Sequence, residues 1–299
     1  MPRTSRELCQ HRVVHLRRLT LILLLSSLPA AAQQRHTATG VVLSVDRTHH
    51  TMVVSTNEMP GYMDAMVMSY SVPDAKSLEP LTRGAQIEFT LVVEKDSSRV
   101  EDVKVRSYDS AEREPSKASR LQGLQEALRA VHRLRIGGAV PDFTLTDQQN
   151  RTLHFRQFAG KVTALNFVYT RCALPEYCFR SSNNFAVIQK QYQKRLGKDL
   201  ELITITFDPV HDQPGVLRDY AKTWKADPET WHFLTGPVGD VERVCDLFGV
   251  NYVPDEGLFV HSLHTVIIDR EGKLAVNLEG NEFTAQQFAD LVGSVLDSK

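Results

Sequence analysis

From Ser69 to Lys299 the chain contains no methionine. The six it has are Met1, Met52, Met59, Met63, Met66 and Met68, and four of these crowd into MPGYMDAMVM at 59–68. Cysteine is also scarce, with four in 299 residues, too few for a disulfide framework. Neither charge sign dominates. The 35 Lys and Arg are matched by 36 Asp and Glu, a balance that argues against a nucleic-acid partner. No apolar run reaches the roughly 20 residues that span a bilayer comfortably. The nearest is Leu19–Leu28.

That short run sits in a recognisable setting. Arg3, Arg6, Arg12, Arg17 and Arg18 lie before it or at its start, and Ala30-Ala31-Ala32 follows it. Basic, apolar and small residues in that order make an export signal, with cleavage expected after Ala32 and retention as an anchor the alternative. Losing residues 1–32 removes five Arg and one Glu and leaves a mildly acidic chain. Cys172, Cys178 and Cys245 remain. In an oxidising compartment an odd number suggests one redox or metal-binding couple and a leftover.

Two patterns divide the remainder. Residues 37–107 alternate apolar and polar over Thr39–Val45, Thr51–Ser55, Ala65–Val72, Ile87–Val93 and Val100–Val105, which predicts a small all-β unit of five short strands. Residues 108–135 are polar and charged and acquire helical spacing from Leu121, which predicts a linker turning into a helix. From 136 to 299, apolar β-rich runs (162–170, 200–207, 261–269) alternate with helical patterns (178–195, 214–225, 240–248), and a hairpin and a helix at 284–297 follow. This order predicts an α/β domain of thioredoxin type.

YTRCALPEYC places Cys172 and Cys178 where the first buried strand gives way to a helix. The unpaired N–H groups of a helix start favour thiolate over thiol, and thiolates are soft ligands that select Cu(I) or zinc. The residues alone leave a structural pair, a disulfide and a metal site all open.

Residues 137–298 resemble the Sco (SenC-type) family of thioredoxin-fold copper proteins, through PDFTLTDQ (141–148), FVYTRC (167–172), FDPVHDQP (207–214) and HSLHTVIID (261–269). The resemblance implies that Cys172, Cys178 and His261 bind copper as Cu(I) or Cu(II). Two features depart from the commoner pattern: five residues separate the cysteines where three are usual, and Ala173 stands in place of proline. Asp208 and Asp212 match the family's acidic pair. They orient the cysteine loop or supply an oxygen to Cu(II), or else cap the next helix. His264 is read as lying on the same strand as His261 with its side chain on the opposite face. His211 is read as solvated and Cys245 as a buried small hydrophobe. A peroxidase of this superfamily would have threonine where Tyr169 stands. A thioredoxin would have a proline within 255–269, where there is none.

Residues 37–107 resemble the CusF-like periplasmic copper-binding domain, a five-stranded OB-type barrel, through GVVLSVD (40–46), MPGYMDAMVMSYSV (59–72) and LTRGAQIEFTLVV (81–93). The resemblance implies a Cu(I) site at Met66 and Met68, two residues apart on a strand and so on one face. The family's histidine falls at Thr56. Met63 is the expected third thioether, with Met59 a weaker candidate, while His49 and His50 fall at a hairpin tip. Plain core packing and a barrel that has lost its metal are the alternatives.

The fold expected is therefore an α/β thioredoxin-like domain preceded by a small all-β five-stranded barrel. The function expected is an exported, periplasmic copper carrier that needs no turnover chemistry. Resemblance implies the copper-centre subunit of cytochrome c oxidase as client, near a membrane, or another copper carrier. The alternatives are a thiol–disulfide oxidoreductase using Cys172 and Cys178, and a copper-sequestering protein.

Overall fold

Strand β1 (Gln34–Asp46) organises the first domain because it pairs on both sides, with β2 (Thr51–Thr56) and with β4 (Gln86–Val93). The outer strands are β3 (Met66–Ser71) beside β2 and β5 (Ser98–Val105) beside β4, all antiparallel. In this computed structural model the described residues are 34–94, 97–106, 133–172, 174–255 and 257–298. The export segment, residues 108–132 of the linker and Ala173 lie outside them. Among the described residues no helix is long and apolar enough to cross a membrane.

The expected barrel is a curled five-stranded sheet whose ladder does not close, since β3 and β5 exchange no backbone pairing. Leu78 and Leu81, from the segment that crosses between β3 and β4, are buried in the same core as Val42, Val54, Ile87 and Phe89. Side chains thus complete what hydrogen bonds leave open. The apolar run Val41-Val42-Leu43 serves two cores. Val42 faces the sheet interior, while Val41 and Leu43 are buried against the second domain. A register shift between Val42 and Ser44 accommodates the change.

The second domain is built on a sheet ordered β10-β9-β8-β13-β14. Strands β8 (Val162–Val168), β9 (Leu200–Thr206) and β10 (Trp231–Leu234) run parallel. Strands β13 (His264–Ile268) and β14 (Leu274–Glu279) are antiparallel to their neighbours. Two small ribbons, β6 (Thr144–Thr146) with β7 (Thr152–His154) and β11 (Tyr252–Asp255) with β12 (Leu258–His261), stand outside this sheet. Every residue of β8 and β9 is buried, as a sheet covered on both faces requires. Ala164, Leu202 and Ile267 meet helices α1 (Arg180–Gln191), α2 (Pro214–Thr223) and α4 (Ala285–Leu296). Leu165, Ile203 and Val266 meet α3 (Val238–Phe248) on the other face. The predicted helices fall in place within a few residues.

The predicted strand 261–269 requires correction. Ser262 and Leu263 divide it, so His261 ends a ribbon while His264 begins a sheet strand. Both imidazoles are buried, and His264 is bonded to Asn277 Oδ1 at 2.8 Å, inside the core. A shared-strand argument therefore does not relate the two histidines.

The two domains pack as one compact unit. Gln287, in the first turn of α4, does two jobs. Its Oε1 accepts the Thr284 N–H at 2.9 Å, closing a capping box. Its Nε2 donates to Ser55 O at 3.1 Å and Asn57 Oδ1 at 2.9 Å, across the domain boundary. Ser55 Oγ donates to Asp290 Oδ2 at 2.7 Å. At Gly84, where φ is +87°, a Cβ would lie 2.7 Å from Val276 Cγ1, so glycine lets the Val276 side chain of the second domain pack against this backbone.

Candidate metal centre

The strand β8 ends at Val168, and the chain then makes a loop that is held from below. Asp212 accepts the Thr170 N–H at 3.0 Å and the hydroxyls of Thr170 and Thr206, each at 2.5 Å. Gln213 occupies the N-cap position of the helix that follows, and the Asp212 carboxylate is bonded to the cysteine loop and to β9. Burial raises its carboxyl above the ordinary range, against the three donated hydrogen bonds. Asp208 accepts from Arg171 Nη2 at 2.8 Å and faces His211 Nδ1 at 2.8 Å. Arg171 reaches on to the Gly257 carbonyl at 3.0 Å, tying the cysteine loop to the tip of the β11–β12 ribbon. Both carboxylates are thus engaged with the protein itself. Arg171 has no distinctive spacing in the sequence and was not anticipated.

Cys178 lies in a wide turn, Pro175–Phe179, that opens into α1 and is kinked at Tyr177. That turn absorbs the five-residue spacing and brings the sulfurs together. Cys172, Cys178 and His261 each offer a ligand atom, and the three atoms lie within 4.8 Å of one another. Cys178 Sγ is 3.8 Å from His261 Nε2. Metal–nitrogen and metal–sulfur bonds of about 2.0–2.3 Å put the donors of a three-coordinate ion roughly 3.5–4 Å apart. The pocket is therefore close to ligating geometry, and its two sulfurs and one imidazole suit a soft ion.

The imidazole is held in place. Nδ1 faces the Ser262 carbonyl at 3.0 Å, and donating a proton there leaves the Nε2 lone pair towards the sulfurs. Phe207, Tyr169 and Tyr177 surround the ring with centroids 4.8, 5.7 and 6.0 Å away. The cysteines share a charge unequally. A hydrogen bond from Cys178 pulls the Cys172 thiol down to about 4 against the effect of burial, and His261 adds to the pull. Burial pushes the Cys178 thiol well above the ordinary range, and the neighbouring thiolate adds to this. Burial and the Cys172 charge push the Tyr169 hydroxyl up to about 12. The result is a half-buried thiolate beside a buried thiol, with no disulfide between them. Cys245, on the buried face of α3, is in the core and is not one of this group.

The methionines are arranged differently from one another. Met59 is buried, Met63 and Met68 pack partly buried against the first domain's core, and Met66 is about half exposed. Met66 pairs with Thr56 and Met68 with Val54, so both project to the sheet's inner face. The Thr56 hydroxyl is buried and bonded to Tyr70 Oη at 3.0 Å. His49 is exposed and bonded to Asp46 at 2.7 Å, as befits a hairpin tip. His36, which sequence reasoning passed over, stacks on Tyr62. Its place two and four residues before Ala38 and Gly40 was the available signal.

Comparison with known proteins adds the following. The SCO1/SenC family model matches residues 136–296, and the model described as copper binding periplasmic protein CusF matches residues 35–105. The sco1 protein of Schizosaccharomyces pombe is 27% identical over 177 residues, which cover 56% of this chain and 64% of that one. The chain thus spans less than two thirds of that relative. Yeast Sco1 solved with copper bound is 24% identical, covering 56% of this chain and 91% of that one at a TM-score of 0.46. BsSco, described as a member of the Sco family of cytochrome c oxidase assembly proteins, is 22% identical, covering 56% and 98% at a TM-score of 0.47.

Proposed function

Because this chain belongs to the SCO1/SenC family and carries a CusF-like domain ahead of it, we propose that it is an exported copper carrier that loads the dinuclear copper centre of cytochrome c oxidase. The observation that carries this reading is the convergence of Cys172, Cys178 and His261 within 4.8 Å. The client is the one named for the Sco family of BsSco. Cys172 is the outer donor. It is half-buried and already ionised, so it is the group an incoming client ligand meets first. Cys178 and His261 form the buried floor and hold the cargo while Cys172 exchanges. Cys178 must release its proton on loading, so loading competes with protons. The methionines Met63, Met66 and Met68 supply an auxiliary Cu(I) site in the first domain.

The test is a copper titration of the full chain under reducing conditions. The parent binds two separable equivalents. Cys172→Ser removes one, and Met66→Leu with Met68→Leu removes or weakens the other. Unchanged stoichiometry in the methionine variant would eliminate the auxiliary site.

A second reading is favoured by the same pair of thiols, one ionised and one protonated. The Cys172 thiolate attacks a client disulfide, and the client's departing sulfur takes the electron pair. Cys178 then loses its proton and displaces the reduced client, leaving a Cys172–Cys178 disulfide. His261→Ala separates the readings. Copper carriage requires a large loss of copper affinity, whereas thiol exchange survives the change.

A further inference from the structure

The three donors come from two elements that no sheet joins. Cys172 and Cys178 follow β8, while His261 ends the β11–β12 ribbon. Ligating geometry therefore depends on how the ribbon is held against the cysteine loop.

Apolar packing supplies part of the hold. Phe207 lies on Tyr252 with centroids 5.1 Å apart and planes 24° from parallel, and Tyr169 meets Phe259 edge-on at 5.4 Å. Such contacts press the ribbon down, but burial of apolar surface is non-directional and permits sliding. Hydrogen bonds fix the base of the ribbon. Ser262 N–H donates to Asn251 O at 2.8 Å, and Asn251 N–H donates to Ser262 Oγ at 2.9 Å. A base alone leaves the ribbon free to tilt. Its tip, where Asp255 pairs with Leu258, needs a second anchor.

Arg171 provides that anchor. Its Nη1 donates to the Gly257 carbonyl at 3.0 Å. The guanidinium is itself aimed from behind, for Nε and Nη2 both donate to Asp208 Oδ2, at 3.2 and 2.8 Å. Asp208 is buried. Its other carboxylate oxygen faces His211 Nδ1 at 2.8 Å, and its N–H donates to Thr206 Oγ1 at 3.0 Å. The same Thr206 hydroxyl donates to Asp212, which holds Thr170. The two carboxylates thus act on consecutive residues. Asp212 fixes Thr170 within the loop, and Asp208 directs Arg171 outward to the ribbon. A rigid planar fork can meet a carboxylate and a carbonyl at once, which a single ammonium on an unbranched chain does not.

We propose that Arg171 is a positioning residue for the copper site: by pinning the Gly257 tip of the ribbon to the loop that carries Cys172, it holds the His261 imidazole at ligating distance from the two sulfurs. This rests on the reading of Cys172, Cys178 and His261 as the copper site. It adds that the nitrogen ligand is kept in place from the side of the first sulfur ligand. Loss of the strap frees the imidazole and shortens the residence of Cu(I), while both thiols stay where they are.

The test uses the full chain carrying Met66→Leu and Met68→Leu, so that bound copper reports on the second domain. Cu(I) is loaded, and its release to excess bathocuproine disulfonate is timed. Arg171→Gln should speed release at least about tenfold. In a chain that also carries His261→Ala the same change should alter release less than about twofold, because no imidazole remains to be positioned. Arg171→Lys keeps the charge beside Cys172 but loses the fork, and should behave as Arg171→Gln does. Restoration of the parent rate by lysine would mean that the charge acts on the thiolate. Equal acceleration with and without His261 would mean that the change acts on the cysteine loop. Either result overturns the inference, as does an unchanged rate in Arg171→Gln. A parent that takes up no Cu(I) refutes the copper-site reading itself and takes the inference with it, an outcome distinct from a loaded parent whose variants do not respond. Arg171→Gln leaves the buried Asp208 without its arginine. Arg171→Gln with Asp208→Asn is therefore measured beside it, and must show the same dependence on His261 should the single variant fold poorly.

Discussion

At the scale of single residues, the cysteine pair makes the sharpest prediction. An acid whose folded value is depressed stays charged until pH falls through that value. Alkylation of Cys172 by iodoacetamide should therefore hold nearly constant from about pH 8 down to about pH 5 and fall near pH 4, while Cys178 stays unreactive. A rate climbing steeply from pH 6 to pH 9 would contradict the unequal sharing of the proton. The sign for stability follows. The Cys172 contribution is complete above the ordinary thiol range and is lost as pH falls towards about 4. Asp212 gives a second test. Asp212→Ala strips three donors of their acceptor in a buried loop and should cost about 2–4 kcal/mol in chemical denaturation, with Cys172 alkylating at a changed rate. Cys172, Cys178 and His261 were legible because a known motif carries them. Arg171 was not, because an arginine strap is defined only by what lies across from it in space.

At the scale of elements, the helices and the buried strands could be read from period alone, since β8 and β9 are continuously apolar and α4 is amphipathic. The break at Ser262-Leu263 could not. HSLHTVIID continues without glycine or proline, and only the pairing of Tyr252 with His261 ends the ribbon there. The function of Gln287 was equally hidden, because a capping box signals a helix start and not a domain contact. Gln287→Ala removes both the cap and the bonds to Ser55 and Asn57. It should cost about 1–3 kcal/mol, against about 1 kcal/mol for a cap lost by itself. Thr284→Ala, measured beside it by urea denaturation, separates the two contributions.

At the scale of the molecule, the shared burial of β1 ties the domains together. Consecutive Val41, Val42 and Leu43 carried that signal in the sequence, for a strand with only one buried face would alternate. Val41→Asp places an unpaired carboxylate in the core of the second domain, so it should cost more than about 3 kcal/mol. Because the two domains share this strand's burial, calorimetry should show one transition that moves as a whole. Two separated peaks in the parent would show that the domains unfold independently. The ribbon that ends at His261 belongs to neither large sheet. Its tip is fastened to the cysteine loop by the Arg171 contact with Gly257. Displacing the ribbon would break that contact and leave every rung of the five-stranded platform intact.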